Sequence, residues 1–186
     1  MKIFKTKFDG VLLIEPEIFT DERGEFYESY NENKLKSSGI PVYFPLEFQS
    51  KSKKGVLRGL HFQNIPFSQG KLIRIIRGKV LDVVVDLRVN SKTYGVWESF
   101  LLDDFRKNML WIPEGFAHGF LSLNDDTIMH YKVTKPYNKN AESGVIWNDS
   151  LLKIDWRLEE YNIDEIIISE KDRMLPSFNA MEKSIH

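Results

Sequence analysis

A chain of 186 residues, with 42% hydrophobic and 28% charged residues, is long enough for one domain with a sizeable core. Its formal charge of −1 gives no electrostatic footprint for nucleic acid, so an anionic ligand has to be held by a few local cations. Without cysteine, disulfides, thiolate catalysis and Cys-ligated metal centres are excluded, and no apolar run is long enough for a signal peptide or a membrane span.

In chain order, β-type runs dominate. VLLIE (11–15) and GEFYESY (24–30) read as strands, and NENKLKSS (31–38) reads as a short helix. The stretch GVLRGLHFQ (55–63) breaks simple alternation, because Arg58 and His61 have opposite parity. Placing both in one cavity requires a bulge or bend near Gly59. KLIRIIRG (71–78), VLDVVVDLR (80–88), GVWESFLLD (95–103), NMLWIP (108–113), FAHGFLSL (116–123) and TIMHYKVT (127–134) continue at the spacing of a sandwich or barrel. RLEEYN (157–162) reads as a second short helix. No repeat, low-complexity tract or linker interrupts the chain, so residues 1–186 form a single, mainly antiparallel β domain.

Within 80–88, Leu81, Val83, Val85 and Leu87 alternate with Val80, Asp82, Val84, Asp86 and Arg88. The apolar side is expected to pack on a second sheet. The acidic side either lines a polar cavity or forms a solvated outer face, and this strand by itself favours the solvated face.

The histidines are His61, His118, His130 and His186, of which the terminal His186 is set aside. None has a second histidine two residues away, so the His-x-His pattern of metal-binding β-barrel enzymes is absent. Arg58 and His61 in Arg58-Gly-Leu-His61-Phe-Gln63, Lys71 on the next strand, His118 and Tyr131 together supply a base, a phenolic acid and cations for an oxyanion. Singly, each has an ordinary reading: Lys71 a solvated cation, Tyr131 a core aromatic, Arg23 a turn residue, Asp172 a surface acid.

Several segments carry a family resemblance, in order and over nearly the whole chain. They are Phe19-Thr-Asp-Glu-Arg-Gly24, Glu28, SKSKKGVLRGLHFQ (50–63), QGKL (69–72), DVVVDLR (82–88) and SKTYG (91–95). WIPEGFAHGF (111–120), YKVT (131–134), WND (147–149) and SEKD (169–172) complete the set. Together they resemble the deoxythymidine-diphosphate-4-dehydrorhamnose 3,5-epimerase family of the RmlC type. The resemblance implies an all-β, cupin-type jelly roll (a double-stranded β-helix) with a few short helices, usually a homodimer, using neither metal nor other cofactor. It implies epimerisation at C3 and C5 of a nucleotide-diphosphate 4-keto-6-deoxy sugar, with dTDP-4-dehydro-6-deoxy-glucose ranked first.

Position by position, His61 resembles the family's base, Asp172 its dyad partner, Tyr131 the acid on the opposite face of the sugar, and Lys71 the cation near the C4 oxygen. Arg23, Glu28, Arg58, His118, Glu142 and Lys171 resemble substrate-binding residues, and Tyr137 the aromatic that stacks on the base. Where the family commonly carries Gln-Asp-Asn before Ser-Lys-Ser, this chain has Leu46-Glu47-Phe48-Gln49. Two polar side chains at the nucleotide end thereby become apolar, which bears on base recognition and not on the chemistry. Other readings stay open: a 3-epimerase, an epimerase of GDP- or CDP-linked sugars, or a non-catalytic sugar-nucleotide-binding cupin; the missing His-x-His argues against a metal-dependent cupin. A cytoplasmic protein with no nucleic-acid or membrane partner is expected.

Overall fold

The computed structural model describes residues 1–185, and His186 lies outside the described residues. Two sheets pack face to face, and the central strands Lys79–Asp86, Met109–Ile112 and Phe116–Ser122 are buried on both faces. With strands numbered in chain order, the first sheet runs β1 (Lys2–Lys5), β2 (Leu12–Glu15), β10 (Met109–Ile112), β7 (Lys71–Arg77), β12 (Thr127–Val133), β5 (Leu46–Ser52). The second runs β13 (Glu142–Gly144), β6 (Val56–Gln63), β11 (Phe116–Ser122), β8 (Lys79–Asp86), β9 (Trp97–Asp103). A two-residue strand, β14 (Ile167–Ile168), adds in parallel to β6. From β5 to β13 the chain changes sheet at every connection except β8–β9, which is the jelly-roll arrangement. The strands β3 (Ile18–Asp21) and β4 (Gly24–Tyr27) form a separate hairpin.

Of the two expected helices, one is present. Helix α1 (Glu32–Ser37) is capped by Asn31, whose side chain accepts from the Lys34 N–H, and it buries Leu35 against Ile14, Leu72, Met109 and Trp111. The segment 157–162 is not helical. Arg157 and Asn162 have φ of 50° and 51°, so left-handed backbone at both ends confines the stretch to a turn. Two helices without a sequence expectation, α2 (Glu170–Arg173) and α3 (Phe178–Ile185), lie near the C-terminus.

The 80–88 strand corrects the expectation of a solvated acidic face. Leu81, Val83 and Val85 do not meet the other sheet; they pack outward under Leu152, Trp156, Ile163, Phe178 and Met181. This C-terminal cover takes the apolar face, so Asp82 and Asp86 turn into the molecule and are fully buried. On that inner side Val80 and Val84 join Ile73, Ile75, Leu110, Phe116 and Met129 in the core between the sheets. Burial of each such side chain contributes about 1.5–3 kcal/mol.

Candidate active site

The expected irregularity near Gly59 is present. His61 pairs with His118 and Arg58 with Phe120, so two residues of β6, Gly59 and Leu60, oppose the single Gly119 of β11, as in a β-bulge. Gly59 sits in that bulge with φ +111°, and a Cβ there would lie 2.7 Å from both the Gly119 Cα and the His118 carbonyl oxygen. The bulge turns Arg58 and His61 into one cavity.

The bulge also recruits a partner for His61. Pairing of β14 with β6 brings α2 alongside, and Ser169 caps that turn by accepting from the Asp172 N–H. Asp172, only 4% exposed, then lies 2.8 Å from His61 Nε2 through Oδ1, while its Oδ2 accepts from the Gly59 N–H at 3.1 Å. Burial pushes the Asp172 carboxyl up, but His61 and the Gly59 amide outweigh it and hold the carboxyl below its usual range. The surface reading of Asp172 does not hold.

The cavity measures about 330 Å³ and is lined from both sheets, at the lower end of small-molecule sites, about 300–1,000 Å³. The second sheet contributes Arg58, His61, His118 and Glu142; the first contributes Lys71 and Tyr131. Lys171 and Asp172 come from α2. Lys71 is not a solvated cation: its Nζ donates to the His61 carbonyl at 3.2 Å, and burial lowers its pKa to about 8 against the pull of Asp82. Burial raises Tyr131 above the usual tyrosine range, partly offset by the Arg58 charge, so the phenol is held protonated at neutral pH. Arg58 is braced by Ser52 Oγ at 3.3 Å.

Other residues sit at the margin. Glu142 accepts from Lys171 at 2.5 Å and from the Tyr137 hydroxyl at 2.7 Å, a trio with Tyr137 half exposed. Arg23 and Glu28 are not brought to the cavity by this chain's own fold. Arg23 lies at the exposed β3–β4 turn, paired with Asp21, and Glu28 is held by Lys34 and Asn31 beside α1.

Asp82, favoured as solvated by the sequence, instead lies 2.8 Å from His118 Nε2 and, among the described residues, leaves its Oδ1 without a partner. Burial holds that carboxyl above its ordinary range and the imidazole toward its neutral form. Its shared parity with the core residues Val80 and Val84 was the available signal. Phe48, which sequence reasoning assigned to the nucleotide end, also packs its ring on Tyr131, a contact that reasoning did not foresee. A larger cleft of about 860 Å³ opens beside the N-terminal strands, lined by Lys5, Lys7, Asp9 and Trp111 among others. None of His61, Lys71, Tyr131 and Asp172 lines it.

Residues 5–180 match the family model described as dTDP-4-dehydrorhamnose 3,5-epimerase. The chain belongs to this epimerase family. It is 51% identical over 172 residues to the dTDP-4-dehydrorhamnose 3,5-epimerase of Methanothermobacter thermautotrophicus, covering 92% of this chain and 91% of that one. It is also similar to the solved dTDP-6-deoxy-D-glucose-3,5-epimerase of Legionella pneumophila in complex with dTDP-4-keto-L-rhamnose. That likeness has a TM-score of 0.92 and 38% identity, over 99% and 96% of the two chains. A 3'-monoepimerase from Streptomyces bikiniensis, in complex with dTDP-quinovose, matches with a TM-score of 0.87 and 31% identity, over 95% and 88%. Membership makes the chain an isomerase, and the jelly roll is the family's fold. Among the described residues no helix is long and apolar enough to cross a membrane.

Proposed function

We propose that this epimerase inverts C3 and C5 of dTDP-4-dehydro-6-deoxy-glucose to give dTDP-4-dehydrorhamnose, with His61 as base and Tyr131 as acid. The observation that carries this reading is that the two side chains line one cavity from opposite sheets, with His61 tied to the buried Asp172. The 4-keto group acidifies the hydrogens on C3 and C5. His61 takes one, the bonding pair moves into the ring carbon–carbon bond, and the C4 oxygen becomes an enolate stabilised by the Lys71 ammonium. The Tyr131 phenol then protonates the carbon from the far side, which inverts it. His61 and Tyr131 return to their starting states by proton exchange with solvent. Asp172 keeps the imidazole in one tautomer and orientation. Arg58 offers a planar fork of donors to the diphosphate.

The test is deuterium wash-in and product analysis by NMR in deuterated water. H61N is expected to abolish both exchange and inversion, while Y131F retains exchange and loses inverted product; equal, complete loss in both variants refutes separate roles. The likeness to a 3'-monoepimerase supports a second reading, inversion at C3 alone, because the same base and acid serve both. The same spectra decide between them.

The placement of Arg23 supports a homodimer. Phe19 and Phe26 face each other across the β3–β4 hairpin and are 56% and 72% exposed, with Arg23 at its turn, away from its own cavity. A second copy laying this hairpin at the cavity mouth covers both rings and lends Arg23 to the substrate. Light scattering of F19S/F26S is expected to report a monomer; a wild-type monomer refutes the assembly.

A further inference from the structure

In the β5–β12 register Phe48 stands directly opposite Tyr131, and on the other side, in β7, so does Ile73. Directly opposed residues share a face, so the three side chains form one row across the inner surface of the sheet. The Phe48 and Tyr131 rings are 5.3 Å apart between centroids and tilted by 32°, within the range of attractive aromatic pairs, about 4.5–7 Å. Ile73 is fully buried on the opposite flank. Among the described residues no group hydrogen-bonds the Tyr131 hydroxyl. Packing on the ring is therefore what sets the direction of the phenol.

We propose that Phe48 is a positioning residue for the epimerase reaction: its ring holds the Tyr131 phenol at the angle from which the proton reaches the far face of the sugar. This rests on the reading of Tyr131 as the acid. An asparagine, the residue the resemblance places at this position, has no ring to lay against Tyr131. In this chain aromatic packing supplies the constraint. The same ring keeps water from that flank of the phenol, in keeping with the burial that raises Tyr131.

The experiment measures, in deuterated water with dTDP-4-dehydro-6-deoxy-glucose, the ratio of inverted product to deuterium washed in. It compares wild type with F48A, F48L, Y131F and F48A/Y131F. Because His61 performs the exchange, wash-in reports a folded, substrate-bound site. F48A is expected to cut inversion about 10- to 100-fold while wash-in stays within about twofold, since a small misplacement of a catalytic group has effects of that size. F48L should fall between, and F48A should cost nothing further in the Y131F background. Phenolate absorbance, read as the difference from the Y131F backgrounds, should titrate at lower pH in F48A. If Y131F keeps the wild-type ratio, the acid assignment fails. If Y131F suppresses inversion while F48A keeps the wild-type ratio, positioning fails and the acid stands. If F48A and F48L both lose wash-in and inversion in proportion, Phe48 is structural only and the proposal is overturned.

Discussion

Raising the pH should switch off the epimerase through Lys71 before it affects Tyr131. The drop in the Lys71 pKa from 10.5 to about 8 corresponds to about 3 kcal/mol set against the ammonium form. Burial causes it, and the Asp82 carboxylate opposes it. The free enzyme therefore holds the cation below about pH 8 and loses it above, so kcat/KM should fall about tenfold per pH unit beyond that point. Tyr131 ionises higher than an ordinary tyrosine and does not supply this limb. In the substrate complex the diphosphate and the developing enolate favour the ammonium, so the limb in kcat should lie at higher pH than that in kcat/KM. Stability runs in the opposite sense. The depressed pKa disfavours the folded state at neutral pH, and that cost is relieved as pH rises from about 8 to 10.5. K71R keeps its charge throughout and should lose the limb, while K71M should lose about 10²–10³-fold in kcat, the usual cost of an oxyanion donor. D82N removes the opposing carboxylate and should move the limb below its wild-type position. Initial rates across the pH range decide it: kcat/KM flat through about pH 9.5, or a limb unchanged in K71R, refutes the assignment.

D172N should lower exchange and inversion together by about 10²–10⁴-fold, because His61 loses the acceptor that fixes its tautomer. Asp172 is held below its usual range, so its contribution to stability is present above the ordinary aspartate pKa and lost as pH falls below it; melting of D172N should accordingly depend less on acid pH. R88A strips the guanidinium from the fully buried Asp86, whose pKa is held at about 2 by Arg88, Ser91 and Thr93 against burial. Denaturant unfolding should register a loss of about 3–5 kcal/mol. With Leu46 and Phe48 in place of polar side chains, base discrimination should be weaker than an asparagine at that position would give. A thymidine-over-guanosine preference in kcat/KM of several hundredfold or more refutes this.

Much of this protein was legible in the sequence. β-Branched and aromatic runs such as VLLIE, KLIRIIRG and TIMHYKVT, recurring at sandwich spacing, gave the strands, because such side chains suit a pleated, half-buried ladder. The Gly59 bulge was legible because two functional residues of opposite parity cannot otherwise share a cavity. The residue types at His61, Lys71 and Tyr131 announced proton transfer, and the order of the family segments named its class. What lay out of reach depended on contacts distant in sequence. No local pattern says that residues 152–181 cover the apolar face of β8, and that cover is what turns Asp82 and Asp86 inward. The pairing of His61 with Asp172 spans 111 residues and exists because β14 docks beside β6. The pull of Asp82 on Lys71, and the ring of Phe48 on Tyr131, likewise exist only once strands from separate parts of the chain lie in register. Residue identity is written locally, but desolvation and contact are properties of the assembled sheets, and those are what set the pKa values and the packing around Tyr131.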